Sequence, residues 1–192
     1  EVCGVVTDPS RAADVSAAAK SAGLDLSVTM PEAIEARTVA LSSRAIAPGL
    51  ESECALLYTS GTTDRPKGCV LDNRYYLQAG LWYTRLGELC DIRPGAEVLI
   101  TPLPLHHMNA MAFSTMAMIL SGGCIVQLDR FHPDSWWESV RTSGATLVHY
   151  LGVMPSMLIK APESPADRHH SLRLGFGAGV DKRLHALFET RF

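Results

Sequence analysis

Residues 58–68 read Tyr58-Thr59-Ser60-Gly61-Thr62-Thr63-Asp64-Arg65-Pro66-Lys67-Gly68, directly after the compact apolar run Cys54–Tyr58, which predicts a strand. Four hydroxyl side chains flank one glycine within five positions. Hydroxyls and exposed backbone N–H groups donate hydrogen bonds to phosphate oxygens, and Lys67 adds a point positive charge. At about 4 Å near a protein surface, such a charge pair is worth roughly 4 kcal/mol before desolvation. Gly61 and Gly68 are expected to allow close backbone approach and positive φ. A solvated Ser/Thr/Gly linker would need neither the strand in front nor the Pro-Lys-Gly behind. The segment is not a Walker A loop. Counted from Gly61, Pro66 holds the second glycine position, and Gly68 follows the lysine where a magnesium-binding hydroxyl belongs. Gly175-Phe176-Gly177 has a GxG spacing, but the third glycine falls at 179, one short of GxGxxG.

Outward from this loop the chain alternates apolar runs with amphipathic stretches. Strands are predicted at Val2–Thr7, Leu24–Val28, Cys54–Tyr58, Glu97–Thr101, Cys124–Leu128, Thr146–Tyr150 and Leu172–Phe176. Helices are predicted from about Ser10 to Ala22, from an Asn73 cap to about Cys90, at Asn109–Leu120, from Pro133 to about Thr142, at Met154–Lys160, and after Asp181. The Asn109–Leu120 stretch is apolar almost all round and reads as a buried helix ended by Gly122-Gly123. Pro31–Ser52 reads as a connector. Repeated strand–helix units define an α/β chain: a mostly parallel sheet with helices on both faces. In such sheets ligands sit at the carboxyl ends of the strands, where the unusual loops of this sequence fall.

Composition bounds the function. Of 192 residues, 47% are hydrophobic and only 19% charged, which excludes intrinsic disorder. The charged share is below the average of about 25%, as suits a piece whose flank is covered by something else. A net charge of −3 leaves no basic surplus for a nucleic-acid backbone. The five cysteines (Cys3, Cys54, Cys69, Cys90, Cys124) are odd in number and form no CxxC. They read as small buried apolar residues in a reducing, cytoplasmic compartment, with no disulfide framework or metal site. Met108–Leu120 is too short to span a bilayer, and no transmembrane segment or signal peptide is predicted. The chain opens without Met inside an apolar run and stops straight after a helical pattern. It is therefore expected to be an internal segment, residues 1–192, of a longer protein.

The eleven residues Tyr58–Gly68 resemble the phosphate-binding signature of the acyl-adenylate-forming superfamily, which includes acyl-CoA synthetases, peptide-synthetase adenylation domains and beetle luciferases. Asp64 departs from the glycine usual in that family. Leu103-Pro104-Leu105-His106-His107-Met108-Asn109 resembles the family's second landmark, with His107 as the family histidine and His106 at the aromatic position. Phe176-Gly177-Ala178-Gly179-Val180 is similar to the small-residue loop that lies against adenine, though the usual form is Gly-Gly-Ala-Pro.

The resemblance implies the ATP-binding core of a large N-terminal domain, with the C-terminal lysine-bearing domain absent. It implies phosphate binding by Thr59, Ser60, Gly61, Thr62, Thr63 and Lys67, with His107 and Lys67 in catalytic roles. His107 would position the acyl carboxylate against the α-phosphate, and Gly177, Ala178 and Gly179 would flank adenine. ATP, Mg2+ and coenzyme A are the implied cofactor and co-substrates; a small carboxylic acid and the rest of the chain itself are the implied partners. The implied reaction joins a carboxylic acid to coenzyme A through an acyl-AMP. Alternatives are an adenylation domain that loads a carrier protein, a non-catalytic nucleotide-binding relative, and a structural α/β module. The family's Tyr-Gly-x-Thr-Glu and Thr-Gly-Asp motifs are not found in the sequence, and 1–192 alone is expected to be inactive.

Overall fold

The computed structural model describes residues 4–34, 47–59 and 66–192, and the chain divides into two compact units, 1–47 and 48–192. In the first unit, β1 (Gly4–Val6) pairs in parallel with β2 (Ser27–Thr29) across helix α1 (Ala12–Ser21). This matches the Val-rich and Ala-rich runs, though β2 begins later than the sequence suggested.

The second unit opens with an antiparallel hairpin of β3 (Glu53–Thr59) and β4 (Lys67–Asp72). The sequence placed Lys67 and Gly68 in a loop; they are strand residues instead. Helix α2 spans Asn73–Thr84 and stops short of Cys90. Its cap is Asp72, not Asn73: the Asp72 carboxylate accepts from the Tyr75 N–H at 2.8 Å. The Asn73 amide instead donates to the Gly49 carbonyl.

A four-stranded sheet follows, in the order β6-β5-β7-β8, with β5 (Val98–Thr101), β6 (Cys124–Gln127), β7 (Leu147–Leu151) and β8 (Leu174–Ala178). All of its pairings are parallel, as the near-continuous apolar runs required. Helix α3 (Met116–Ser121) ends at Gly122, whose φ of 70° gives the left-handed C-terminal turn. Helix α4 covers Trp136–Ser143, three residues later than Pro133; α5 covers Val153–Lys160 and α6 His185–Arg191. Alternate strand residues point to opposite faces. On one face Leu99, Leu147 and Phe176 pack with Tyr83 of α2 and with Ala117 and Met118 of α3. On the other, Ile100, Val148 and Tyr150 pack with Trp136, Val140, Met154, Leu158 and Phe188 of α4–α6. Helices therefore lie on both faces, as expected.

The close approach of α2 to α3 needs Gly80, where a Cβ would sit 2.7 Å from the Met116 Cβ. At the amino ends of the strands, buried Glu97 gathers Arg93, Thr146 and Arg173. The cysteine reading is corrected. Cys54, Cys69 and Cys124 are exposed and Cys90 half-buried, because the first two lie on the hairpin and Cys124 begins edge strand β6.

Candidate active site

The hairpin register sets Thr59 directly opposite Lys67. Both are exposed, at the strand ends that flank residues 60–65. Ser60, Gly61, Thr62, Thr63, Asp64 and Arg65 lie outside the described residues. Gly68 plays a different part from the one its motif suggested. It is extended strand, and a Cβ there would lie 3.0 Å from Leu56 Cδ1 and 3.4 Å from Tyr58 Cε1. Its missing side chain makes room for the cross-strand neighbours.

The hairpin feeds straight into α2, whose first turn is fastened to the segment after His107. The Tyr75 hydroxyl contacts the Met108 sulfur, and the Tyr76 hydroxyl lies 3.5 Å from the Met111 sulfur. His107 is exposed in the loop leaving β5. Its N–H donates to the Pro104 carbonyl at 3.0 Å, and its ring centroid lies 4.7 Å from that of His106.

The strand order makes β5 and β7 the pair whose outgoing connections diverge. The chain leaves β5 through Asn109–Thr115 and α3 toward β6, and leaves β7 through α5 toward β8. In open α/β sheets such a divergence opens a crevice at the carboxyl ends of the strands. The His107 loop leaves from that crevice, and because the strands are parallel the 177–179 segment emerges at the same end.

Gly177 and Ala178 are the last residues of β8, not a loop beyond it, and Gly179 has a left-handed φ of 69°. A Cβ on Gly177 would lie 2.4 Å from the Tyr150 ring. That side of the strand is taken by Tyr150, so the access argument for a flat base is corrected at this position. The turn after β7 presses even closer. Gly152 N–H donates to the Ala178 carbonyl at 2.8 Å, and a Cβ on Gly152 would fall 2.0 Å from the Gly179 oxygen.

Two features escaped sequence reasoning. Asn109–Thr115 is π-helical, not α-helical, with the Thr115 hydroxyl donating to the Ala110 carbonyl five residues back. Such turns concentrate at functional sites. The wider turn carries Ser114, fully buried, onto Nδ1 of buried His149 on β7. Burial lowers the His149 pKa to about 4, so the imidazole is neutral at pH 7. The only sequence signal was a polar residue between Leu147 and Leu151 at an inward-facing strand position. A groove of about 440 Å³, lined mainly by Trp137, Tyr150, Leu172, Phe188 and Phe192, lies on the opposite face of the sheet, away from His149 and Ser114. Among the described residues no three His, Cys, Asp or Glu side chains gather to hold a metal ion. Among them, too, no helix is long and apolar enough to cross a membrane.

The parallel sheet with helices on both faces is the α/β fold that the loop signature implied. The family described as AMP-binding enzyme matches residues 3–192, and the chain belongs to it. It is 30% identical to the sulfoacetate–CoA ligase of Cupriavidus necator over 194 aligned residues, covering 98% of this chain and 37% of that protein. It is 31% identical to the medium/long-chain-fatty-acid–CoA ligase FadD6 of Mycobacterium tuberculosis, covering 71% of this chain and 22% of that one. Among solved structures, ATP-bound MatB from Rhodopseudomonas palustris shares the fold, with a TM-score of 0.74 and 23% identity over 98% of this chain and 38% of that one. The chain thus spans less than two-fifths of the length of these relatives.

Proposed function

We propose that the whole protein joins a carboxylic acid to coenzyme A in two steps, and that residues 1–192 form an internal segment of its large ATP-binding domain. A carboxylate oxygen attacks the α-phosphorus of ATP, and pyrophosphate leaves. The coenzyme A thiol, losing its proton, then attacks the acyl carbon, and AMP leaves. The first step brings anion to anion, so preorganised donors are what lower its barrier. Thr59, Ser60, Gly61, Thr62, Thr63 and Lys67 take the β- and γ-phosphates, and His107 orients the carboxylate toward the α-phosphate. Ala178 and Gly179, with the backbone of Gly177, border the adenine.

The observation that carries the reading is the hairpin register, which sets Thr59 against Lys67 at the two ends of the hydroxyl-rich signature. Carboxylate-dependent ATP–pyrophosphate exchange by the whole protein, run over a broad panel of acids, tests it. Exchange is expected with at least one acid, and Lys67→Ala should slow it by about tenfold or more while the melting temperature holds. Absence of exchange across the panel overturns the reading.

A further inference from the structure

We propose that Thr101 is a positioning residue for His107, acting through a two-proline brace at the carboxyl end of β5. The inference rests on the assignment of His107 above. Thr101 is the last residue of β5 and fully buried. Its hydroxyl donates to the His149 carbonyl at 3.0 Å and accepts from the Leu103 N–H at 3.1 Å, so its one proton and a lone pair are both used. The first bond ties β5 to β7 at the point where their connections diverge. The second fixes the exit of the loop.

Pro102 has no N–H to offer a neighbouring strand, and Leu103, 6% exposed, would carry an orphaned amide without Thr101. The Leu103 carbonyl accepts from the Gln127 side chain of β6 at 3.0 Å, so this one residue is held from both sides. Pro104 then fixes the next φ, and its carbonyl accepts the His107 N–H at 3.0 Å. The His107 carbonyl in turn accepts from Met111 N–H in the π-helical stretch. An unbroken series of bonds therefore runs from the Thr101 hydroxyl to the backbone of His107. A valine at 101 would keep the shape and branching of the side chain and remove both bonds.

The test compares Thr101→Val with Thr101→Ser in the whole protein. In ATP–pyrophosphate exchange, Thr101→Val should lower kcat/KM for the acid by about tenfold or more and leave KM for ATP within about threefold; Thr101→Ser should restore the acid term. In the chain itself, amide hydrogen exchange at Leu103 should speed up by about tenfold or more in Thr101→Val and stay near wild type in Thr101→Ser. A valine variant with wild-type kcat/KM, or a serine variant as impaired as the valine one, overturns the proposal. Should Thr101→Val fail to fold, Gln127→Met, which removes the second tether from an exposed strand end, decides in its place: a selective loss in the acid term supports the brace, and wild-type kinetics refute it. If the wild-type protein shows no exchange with any acid, the acid-CoA ligase reading fails, and the Leu103 amide alone decides whether the brace exists.

Discussion

Glu97 offers the sharpest test of how the sheet is held together. Its carboxylate is 1% exposed at the amino ends of the parallel strands. It accepts from Arg93 through the backbone N–H at 3.1 Å, Nε at 2.8 Å and Nη2 at 3.3 Å. The Thr146 hydroxyl and Arg173 Nη2 complete the shell, so β5, β7 and the approach to β8 share one anion. Burial opposes the charge, but the bonds from Arg93, Thr146 and Arg173 outweigh it and hold the carboxyl down at about 2, against an ordinary 4.5. That difference corresponds to about 3 kcal/mol of stability. Because the folded-state value is depressed, the contribution is complete above about pH 5 and is lost as pH falls toward 2. Glu97→Gln keeps the volume and removes the charge. In reversible urea unfolding it should cost about 3 kcal/mol at pH 7, and less than half of that at pH 3. In thermal unfolding the pH 7 loss is about 6–12 °C. A gap between variant and wild type of equal size at pH 3 and pH 7 would refute the electrostatic account, as would no gap at pH 7.

Gly152→Ala should be strongly disruptive, since the new Cβ would fall 2.0 Å from the Gly179 oxygen; a stability loss above about 2 kcal/mol by urea unfolding is expected. Gly177→Ala should destabilise through the Tyr150 ring 2.4 Å away, and much of the loss should vanish when Tyr150→Ala is combined with it in a double-mutant cycle. Simple additivity of the two changes would show that the glycine does not serve Tyr150. Asp72→Ala removes the cap of α2 and should lower stability by about 1 kcal/mol, read as a melting temperature about 2–4 °C lower. Ser114→Ala leaves the buried His149 Nδ1 without its partner and should cost about 1–3 kcal/mol in urea unfolding at pH 7.

The parallel sheet was legible because its strands read as short, mostly apolar runs: Val98–Thr101, which is central and largely buried, and Cys124–Gln127 and Leu147–Leu151 on either side of it. Strand β4 was not. It begins with a lysine and a glycine, and its apolar residues Cys69, Val70 and Leu71 show no alternation, so the phosphate-loop signature absorbed it. The same error misplaced the cap by one residue, since Asp72 looked like loop and Asn73 like helix start. The exposed cysteines follow from it too, because Cys54 and Cys69 are exposed only once the hairpin is known. The π-helical turn has no sequence rule behind it. Ser114 finds its partner His149 thirty-five residues away, a contact only the tertiary fold creates. Of the candidate site residues, Thr59, Lys67, His107 and 177–179 were proposed from their motifs alone. Thr101 and Gly152, which fix their surroundings, look in the sequence like an ordinary strand end and an ordinary turn glycine.

The placement of Lys67 relative to His107 therefore depends on parts outside either motif. Lys67 stands at the far end of β4 from α2, about 17 Å of extended strand before the Asp72 cap. A two-stranded hairpin alone is marginally stable, so its aim depends on what holds its base. That base is held twice. Asp72 starts α2 in a defined direction, and Tyr75 and Tyr76 tie the first turn to Met108 and Met111. Those methionines follow His107 by one and four residues, and the Met111 N–H donates to the His107 carbonyl. The hairpin, the start of α2 and the start of the π-helical stretch are thus joined by hydrogen bonds and contacts, with Lys67 at the far end of β4 and His107 just before the π-helical stretch. Loosening that joint should impair use of the two substrates together, whereas cutting the Thr101 brace should impair use of the acid alone. The contrast separates a hinge shared by both halves of the site from a support that belongs to one.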